Sequence, residues 1–263
     1  MHWNAGGNPV NHRTKPMAIA EFRFYEELND FLLPERRKRA FLYTCAERAS
    51  VKNAIESLGV PHTEVEVILV NGASVDFAYL VQDSDRIAVY PKFESMDITP
   101  LLRVRERPLR HICFIADAHL GGLAKYLRLF GFDTLYRNDF RDEEVTEIAA
   151  TEQRVVLTRD RNLLMHRKIT HGCYVRAMKP RQQLEEVLLR LDLLRSIKPF
   201  SRCMCCNHLL ESIDKESVLK QLPADTIEYY HEFWTCRECN RIYWAGSHYQ
   251  RLQAVIDKAL ATQ

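Results

Sequence analysis

Two cysteine pairs with the same internal spacing lie near the end of the chain, and together they could bind one metal ion. Cys203 and Cys206 form the first pair, and Cys236 and Cys239 form the second after residues 207–235. A CxxC pair lets two thiolates reach one ion from a single tight turn, and two such pairs complete a tetrahedral zinc site with no open position. The spacing therefore predicts a structural zinc ribbon.

The sequence leaves other uses of these cysteines open. Cys205 and His208 form an overlapping CxxH, so the first pair could bind in another register, although only Cys203 and Cys206 match the spacing of the second pair. Free buried thiols or a disulfide are the alternatives to a metal site. The spacer is longer than that of the common ribbon pattern, so we expect residues 214–231 to form an insertion with its own short helix.

Three aspartates occupy positions at which a parallel sheet brings side chains together. Asp117 ends an apolar run, Asp160 follows a second one, and Asp142 opens a helix between them. Because the carboxyl ends of parallel strands open onto one crevice, the three carboxylates are expected to converge there. Two or three carboxylates bind Mg²⁺ or Mn²⁺ when phosphate oxygens and water complete the shell. The alternative is structural, since aspartates at strand ends and helix starts also cap turns and helices.

Three cations near these acids could contact the phosphodiester backbone of a nucleic acid. They are Lys125 and Arg128 on the helix that follows Asp117, and Arg159 beside Asp160. Positive side chains stabilise the charge that develops on a phosphoryl group during hydrolysis. Lys125 and Arg128 could instead be solvated charges on a helix face.

The elements that would position these residues form an α/β domain with a parallel sheet, expected over residues 110–198. Strands are predicted at 111–117, 134–136 and 154–158, and helices over 142–149 and 182–194, the last of which we expect only to pack. The first helix is indicated by apolar residues at helical spacing that end at a glycine, namely Leu120, Leu123, Ala124, Leu127, Phe130 and Gly131.

Residues 18–96 are expected to form a separate domain of strands around one helix, after a disordered tail over 1–17 and before a linker over 97–109. Residues 69–72 and 83–91 resemble the ubiquitin-like β-grasp domains of sulfur carriers. Carriers end in a free diglycine, whereas this chain continues, so thiocarboxylate chemistry is not expected. The domain would then dock a protein or RNA partner, or only add stability.

Residues 114–134 resemble the mutator-seven C-terminal RNase family of PIN-like nucleases. Residues 142–144, residues 156–164 and the cysteine pairs extend the resemblance over about 110–245, and the ubiquitin-like domain is similar to its usual bacterial companion. The resemblance implies a metal-dependent RNase with a PIN-like Rossmannoid core, in which acids matching Asp117, Asp142 and Asp160 bind the ion. Asn162 departs from the pattern, because PIN-like sites often have an aspartate there. It is still expected among the catalytic residues, since its amide could coordinate the ion or hydrogen-bond a ligand, although it carries no charge.

Composition sets bounds on partners and compartment. Lys and Arg number 37 against 35 Asp and Glu, a net charge of +2, and the basic excess lies after residue 100, which is compatible with RNA. No apolar run is long enough to span a bilayer, and the first residues lack the apolar core of a secretion signal. We therefore expect a cytoplasmic protein without a membrane partner.

The resulting hypothesis is an endoribonuclease-like hydrolase that uses magnesium or manganese on single-stranded or structured RNA, tRNA and rRNA included. A zinc ribbon over 199–250, with a C-terminal helix to 263, would position the RNA, and the β-grasp domain would dock a protein partner. The alternatives are a noncatalytic RNA-binding adaptor and a toxin-like PIN protein. Aromatic residues around the ribbon are expected mainly to pack its core, with Tyr229 and Tyr230 the better candidates for stacking on bases.

Overall fold

The computed structural model describes residues 17–91 and 112–260. The predicted tail, apart from Met17, and the predicted linker over 97–109 lie outside the described residues. No helix within the described part of the chain is long and apolar enough to cross a membrane.

The N-terminal domain is a five-stranded sheet with one helix packed across it. Its strands are β1 (Ile19–Phe24), β2 (Phe41–Thr44), β3 (Val67–Val70), β4 (Ala73–Val75) and β5 (Arg86–Tyr90), in the order β2-β1-β5-β3-β4. β1 and β5 are parallel, and the other neighbours are antiparallel. Helix α1 (Val51–Ser57) begins where Ser50 Oγ accepts a hydrogen bond from the Asn53 N–H. This arrangement is the ubiquitin-like β-grasp fold that the sequence predicts.

The second domain is built on a fully parallel sheet. Its strands are β6 (Phe114–Ala116), β7 (Thr134–Leu135), β8 (Val155–Thr158) and β9 (Gly172–Tyr174), in the order β7-β6-β8-β9. Its helices are α2 (Gly121–Leu129), α3 (Asp142–Glu152), α4 (Arg161–Leu164) and α5 (Pro180–Arg190). The helix predicted over 182–194 therefore begins earlier and ends at Arg190, before a 3₁₀ turn at Leu194–Ser196.

Side chains alternate between the two faces of the parallel sheet along each strand, and each face has its own hydrophobic core. Phe114 and Leu157 pack with α2 and α5 on one face, whereas Ile115 and Val156 pack with α3 and α4 on the other. Successive side chains of a strand point to opposite faces, so strands that are apolar at every position are buried between two helical layers. The domain is the PIN-like Rossmannoid α/β fold.

The C-terminal part is a small antiparallel sheet followed by a long helix. Strands β10 (Glu211–Ile213), β11 (Phe233–Thr235) and β12 (Ile242–Tyr243) pair in that order, and α8 (Ser247–Leu260) follows. The insertion predicted at 214–231 contains two short helices rather than one, α6 (Lys215–Val218) and α7 (Ala224–Tyr229). Leu252 on α8 is buried in the core of the parallel domain, so this helix folds back onto it.

The β-grasp domain packs against β9, an edge strand of the parallel sheet. The Glu64 side chain is buried there, and its Oε1 accepts a hydrogen bond from the Tyr174 N–H at 2.7 Å. Glu64 Oε2 lies 2.7 Å from Arg190 NH2 and 3.5 Å from Arg176 NH2. A buried carboxylate is stabilised only when it is paired and hydrogen-bonded, and these contacts meet both conditions.

Candidate active site

Asp117 and Asp160 are held together by one buried hydroxyl. Asp117 directly follows β6, and its Oδ2 accepts a hydrogen bond from Thr158 Oγ1 at 2.7 Å. The same Thr158 oxygen accepts the Asp160 N–H at 2.9 Å, just beyond the end of β8. Thr158 is fully buried, so its hydroxyl has a fixed position. The two acids therefore stand at the carboxyl ends of neighbouring parallel strands, where α/β sheets bind their ligands.

Asp142 is the first residue of α3, and it is electrostatically coupled to the other two acids. Its pKa is raised above the ordinary value, first by burial and then by the negative charges of Asp160 and Asp117. A carboxylate near other carboxylates resists ionisation unless a cation compensates the charge. Asp142 therefore lies close enough to Asp117 and Asp160 for their charges to act on it, and a bound cation would relieve this repulsion.

The three aspartates converge without meeting at a single point. Among the residues that the structure describes, only the four cysteines form a group in which three or more metal-binding side chains place their ligand atoms within 4.8 Å of one another. Mg²⁺ and Mn²⁺ suit a more open arrangement, since Mg²⁺ keeps several waters and takes further oxygens from phosphate. This donor set of carboxylate oxygens, spread around a crevice, fits such an ion.

Asn162 is the second residue of α4, directly after the helix start that Asp160 caps. Its backbone N–H donates to Asp160 Oδ1 at 2.8 Å, so Asp160 caps the helix. The Asn162 side chain is exposed and lines a cleft of about 400 Å³ that is also lined by Asp142. The amide is thus placed to hydrogen-bond a ligand without adding charge to the acids.

The three predicted cation contacts have different environments. Lys125 is exposed on α2, and Arg159 is half-buried, with its NH1 donating to the carbonyls of Arg176 and Ala177 at 3.1 and 2.6 Å. Arg128 is only 5% exposed, and its guanidinium donates to backbone carbonyls within the protein. Because Arg128 is buried, it is placed neither to contact RNA nor to be a solvated charge on a helix face. Both expectations for this residue are therefore wrong.

The four predicted zinc ligands form one compact cluster. The Sγ atoms of Cys203 and Cys239 are 3.4 Å apart, as are those of Cys206 and Cys236, and those of Cys206 and Cys239 are 3.8 Å apart. A tetrahedral ion with Zn–S bonds of about 2.3 Å requires sulfur separations of about 3.8 Å. The cluster therefore has the size to hold zinc. It also decides the register, because Cys205 is exposed and lies outside it.

The first zinc knuckle, the turn over residues 203–207 that carries Cys203 and Cys206, is hydrogen-bonded to the parallel domain. Arg128 Nε donates to the Thr134 carbonyl of β7 at 2.8 Å, and its NH1 donates to the carbonyl of Cys205 at 2.8 Å. Asn207, directly after Cys206, accepts the Thr134 N–H at 3.0 Å and donates to Asp133 at 2.9 Å. Hydrogen bonds from Arg154 and Asn207 outweigh the effect of burial and lower the pKa of Asp133. The knuckle thus caps β7, the other edge of the sheet.

The aromatic residues around the ribbon divide into core and surface. Phe233 is buried, and Trp234 stacks on Phe200 with ring centroids 4.4 Å apart. Tyr229 is 69% exposed, whereas Tyr230 is only partly exposed and packs against the small ribbon core. Tyr229 is therefore the aromatic side chain of this group that is best placed to stack on a base.

Sequence reasoning missed residues that shape the site. The sequence predicts Thr158 only as the end of a strand, although a hydroxyl between two strand-end acids is a signal for a shared hydrogen bond. The basic run His166, Arg167 and Lys168 also lines the cleft beside Asp142 and Asn162. Its position soon after Asp160 could have indicated a contact with phosphate.

A parallel α/β sheet with acids at its carboxyl edge, joined to a four-cysteine ribbon, defines the class of PIN-like nuclease domains with a zinc ribbon. Comparison with known families agrees: residues 112–256 match the Mut7-C RNAse domain, and residues 17–97 match the Mut7-C ubiquitin domain. The chain therefore belongs to the Mut7-C RNAse domain family. No curated protein and no solved structure gave a significant match.

Proposed function

We propose that this protein is a metal-dependent ribonuclease that hydrolyses RNA phosphodiester bonds at the crevice between β6 and β8. Asp117, Asp142 and Asp160 would hold Mg²⁺ or Mn²⁺. The observation that carries the proposal is the pair of hydrogen bonds by which Thr158 joins Asp117 and Asp160 at the carboxyl ends of β6 and β8. Asp142 supports it, because the charges of both acids raise its pKa in addition to burial. Membership of an RNase-domain family supports the same reading.

The chain's own residues would prepare the site for hydrolysis. A bound divalent ion would supply an activated water and neutralise the charge that builds on the phosphoryl group. The Thr158 hydroxyl fixes Asp117 and the loop of Asp160, so the two carboxylates need not reorganise when the ion binds. Asn162 would hydrogen-bond the phosphate or its water, and Lys125 and Arg159 would contact neighbouring phosphates.

Zinc in the four-cysteine cluster would have a structural role. Four thiolates leave no open coordination position, so the ion would not take part in hydrolysis. The ribbon would then position RNA, with the exposed Tyr229 as a base-stacking contact. Cys45 and Cys173 are buried free thiols in addition to the cluster, which suits a reducing compartment such as the cytoplasm.

The ubiquitin-like domain would have two roles. It covers the β9 edge of the nuclease sheet through Glu64. Its own edge strand β2 remains on the outside, with Leu42 71% exposed. An exposed edge strand with an apolar side chain can pair with a strand of another protein, which supports the proposal of a protein partner.

The proposal is tested by incubating purified protein with end-labelled single-stranded and structured RNA in Mg²⁺, Mn²⁺ or EDTA. We expect cleavage with either metal, none with EDTA, and none from Asp117→Asn, which should still bind RNA. Cleavage patterns of RNA labelled at each end would separate internal from terminal cutting. If wild type and variant bind RNA equally and neither cuts any substrate, the noncatalytic adaptor becomes the better account.

A further inference from the structure

The cleft beside Asp142 has two chemically different walls. One wall belongs to α3 and carries Asp142, Glu143 and Glu147, and the other follows α4 and carries His166, Arg167 and Lys168. Lys168 Nζ lies 2.7 Å from Glu147 Oε2, so these two charges compensate each other across the cleft. The cleft thus has one acidic wall, which includes the candidate metal ligand Asp142, and one basic wall.

Arg167 is the free cation of the basic wall. Its side chain is exposed, and it makes no hydrogen bond or ion pair with any residue that the structure describes. A guanidinium matches the geometry of a phosphate and is always charged, so an unpaired arginine beside a cleft is a ready contact for one. The volume of about 400 Å³ lies in the range of pockets that take small organic ligands.

The basic wall is held in place by the ubiquitin-like domain. His62 Nε2 donates to the Ile169 carbonyl at 2.8 Å, two residues after Arg167, and His62 is itself buried. Arg161 NH1 donates to the Phe31 carbonyl of the same domain at 3.3 Å, which fixes the start of α4. Both ends of the segment that carries the wall are therefore anchored to the N-terminal domain.

We propose that this cleft receives the nucleotide adjacent to the cleaved bond of single-stranded RNA, and that Arg167 binds the next phosphate of the strand. This inference rests on the proposed ribonuclease function. It gives the ubiquitin-like domain a role in substrate binding, because His62 and Phe31 position the wall that carries Arg167.

The test measures binding of a labelled single-stranded RNA to the full chain carrying Asp117→Asn, in Mg²⁺ at several salt concentrations. Arg167→Ala should weaken binding about tenfold and reduce the slope of log K against log salt by about 0.7, the value for one lost phosphate contact on a single strand. Arg167→Lys, which keeps the charge, should bind more tightly than Arg167→Ala.

Arg195→Ala is the matched control, because Arg195 is also exposed but lies beyond the end of α5, at the opposite edge of the sheet from the acids. Its binding should equal that of the parent. If Arg167→Ala binds like the parent, or both alanine variants weaken binding equally, the cleft assignment is overturned while the nuclease proposal stands. If the parent binds no RNA at all, both proposals fall.

Discussion

Thr158 Oγ1 donates a hydrogen bond to Asp117 Oδ2 at 2.7 Å, which joins the end of β8 to the acid at the end of β6. The same oxygen accepts the Asp160 N–H, so one hydroxyl sets the positions of two proposed metal ligands. Groups that orient metal ligands in this way usually matter nearly as much as the ligands themselves.

Thr158→Val should therefore lower the rate of RNA cleavage. Valine keeps the volume but loses the hydroxyl, so Asp117 loses a partner and the Asp160 N–H loses its acceptor. We expect metal affinity or activity to fall about 10- to 100-fold, measured by cleavage at increasing Mn²⁺. Thr226→Val, at a buried threonine in the ribbon insertion, is the control and should cleave normally. Wild-type activity at every Mn²⁺ concentration in Thr158→Val would refute this role.

The raised pKa of Asp142 predicts a pH dependence of metal binding. Asp142 keeps its proton to a higher pH than an ordinary aspartate, so a metal ion that binds it must displace that proton. Mn²⁺ affinity should therefore rise with pH until the pH is well above the pKa of Asp142. Calorimetric titration of Mn²⁺ at several pH values measures the effect. Asp142→Asn should bind Mn²⁺ weakly and show a flatter pH profile, whereas an unchanged profile would argue against Asp142 as a ligand.

The same shift has a consequence for the free energy of unfolding. A carboxyl whose pKa is raised by folding contributes stability below its unfolded pKa and loses it as the pH rises through the folded pKa. In EDTA at neutral pH, Asp142→Asn should thus melt at the wild-type temperature or slightly above it. Mn²⁺ should raise the melting temperature of wild type but not of the variant. A variant that melts well below wild type in EDTA would contradict the predicted sign.

Removal of the metal from the four-cysteine cluster should loosen the nuclease sheet. The knuckle holds β7 through Asn207 and holds α2 through Arg128, so loss of the ion should raise hydrogen exchange at Thr134 as well as in the ribbon. Exchange measured before and after chelation tests this coupling. Exchange that rises only in the ribbon would show that the two parts are independent.

Arg128→Lys should mimic part of this effect with the metal still bound. A lysine cannot reproduce the fork of hydrogen bonds to the Thr134, Met204 and Cys205 carbonyls, so we expect a loss of about 2–3 kcal/mol in the free energy of unfolding. Lys125→Ala on the exposed face of the same helix should change it by about 0.5 kcal/mol or less. Urea denaturation of both variants compares them, and equal stabilities would contradict the structural role of Arg128.

Replacement of Glu64 should uncouple the two domains. Its side chain is 1% exposed and pairs with Arg190, and breaking such a pair by removing one partner costs about 3–5 kcal/mol. Glu64→Ala should split denaturation into separate transitions for the β-grasp and nuclease domains. Glu27→Ala removes a more exposed contact to Arg190 at 3.8 Å and should keep wild-type cooperativity. A single unchanged transition in Glu64→Ala would refute the coupling.

The sequence predicted the parts of the fold that local pattern determines. The apolar spacing before Gly131 located α2, and the two CxxC pairs identified the cysteine cluster. β4 and β9 are not predicted, because neither coincides with a continuous apolar run of the kind that indicates β6 and β8. The burial of Arg128 could not be predicted from the sequence. Its partners Met204 and Cys205 are distant in the chain, and no local pattern indicates that a later part of the chain covers this side chain.

We infer that Asp117, Asp142 and Asp160 together bind the ion with which the protein cuts RNA. The most direct test follows cleavage of end-labelled RNA over a range of Mn²⁺ concentrations, for wild type and each Asp→Asn variant, with Glu185→Gln on the exposed face of α5 as control. We expect all three variants to need far more Mn²⁺ than wild type or to fail to cut, and the control to match wild type. If the three variants cut RNA at the same Mn²⁺ concentrations as wild type, the aspartates only cap turns and helices, and the nuclease site lies elsewhere.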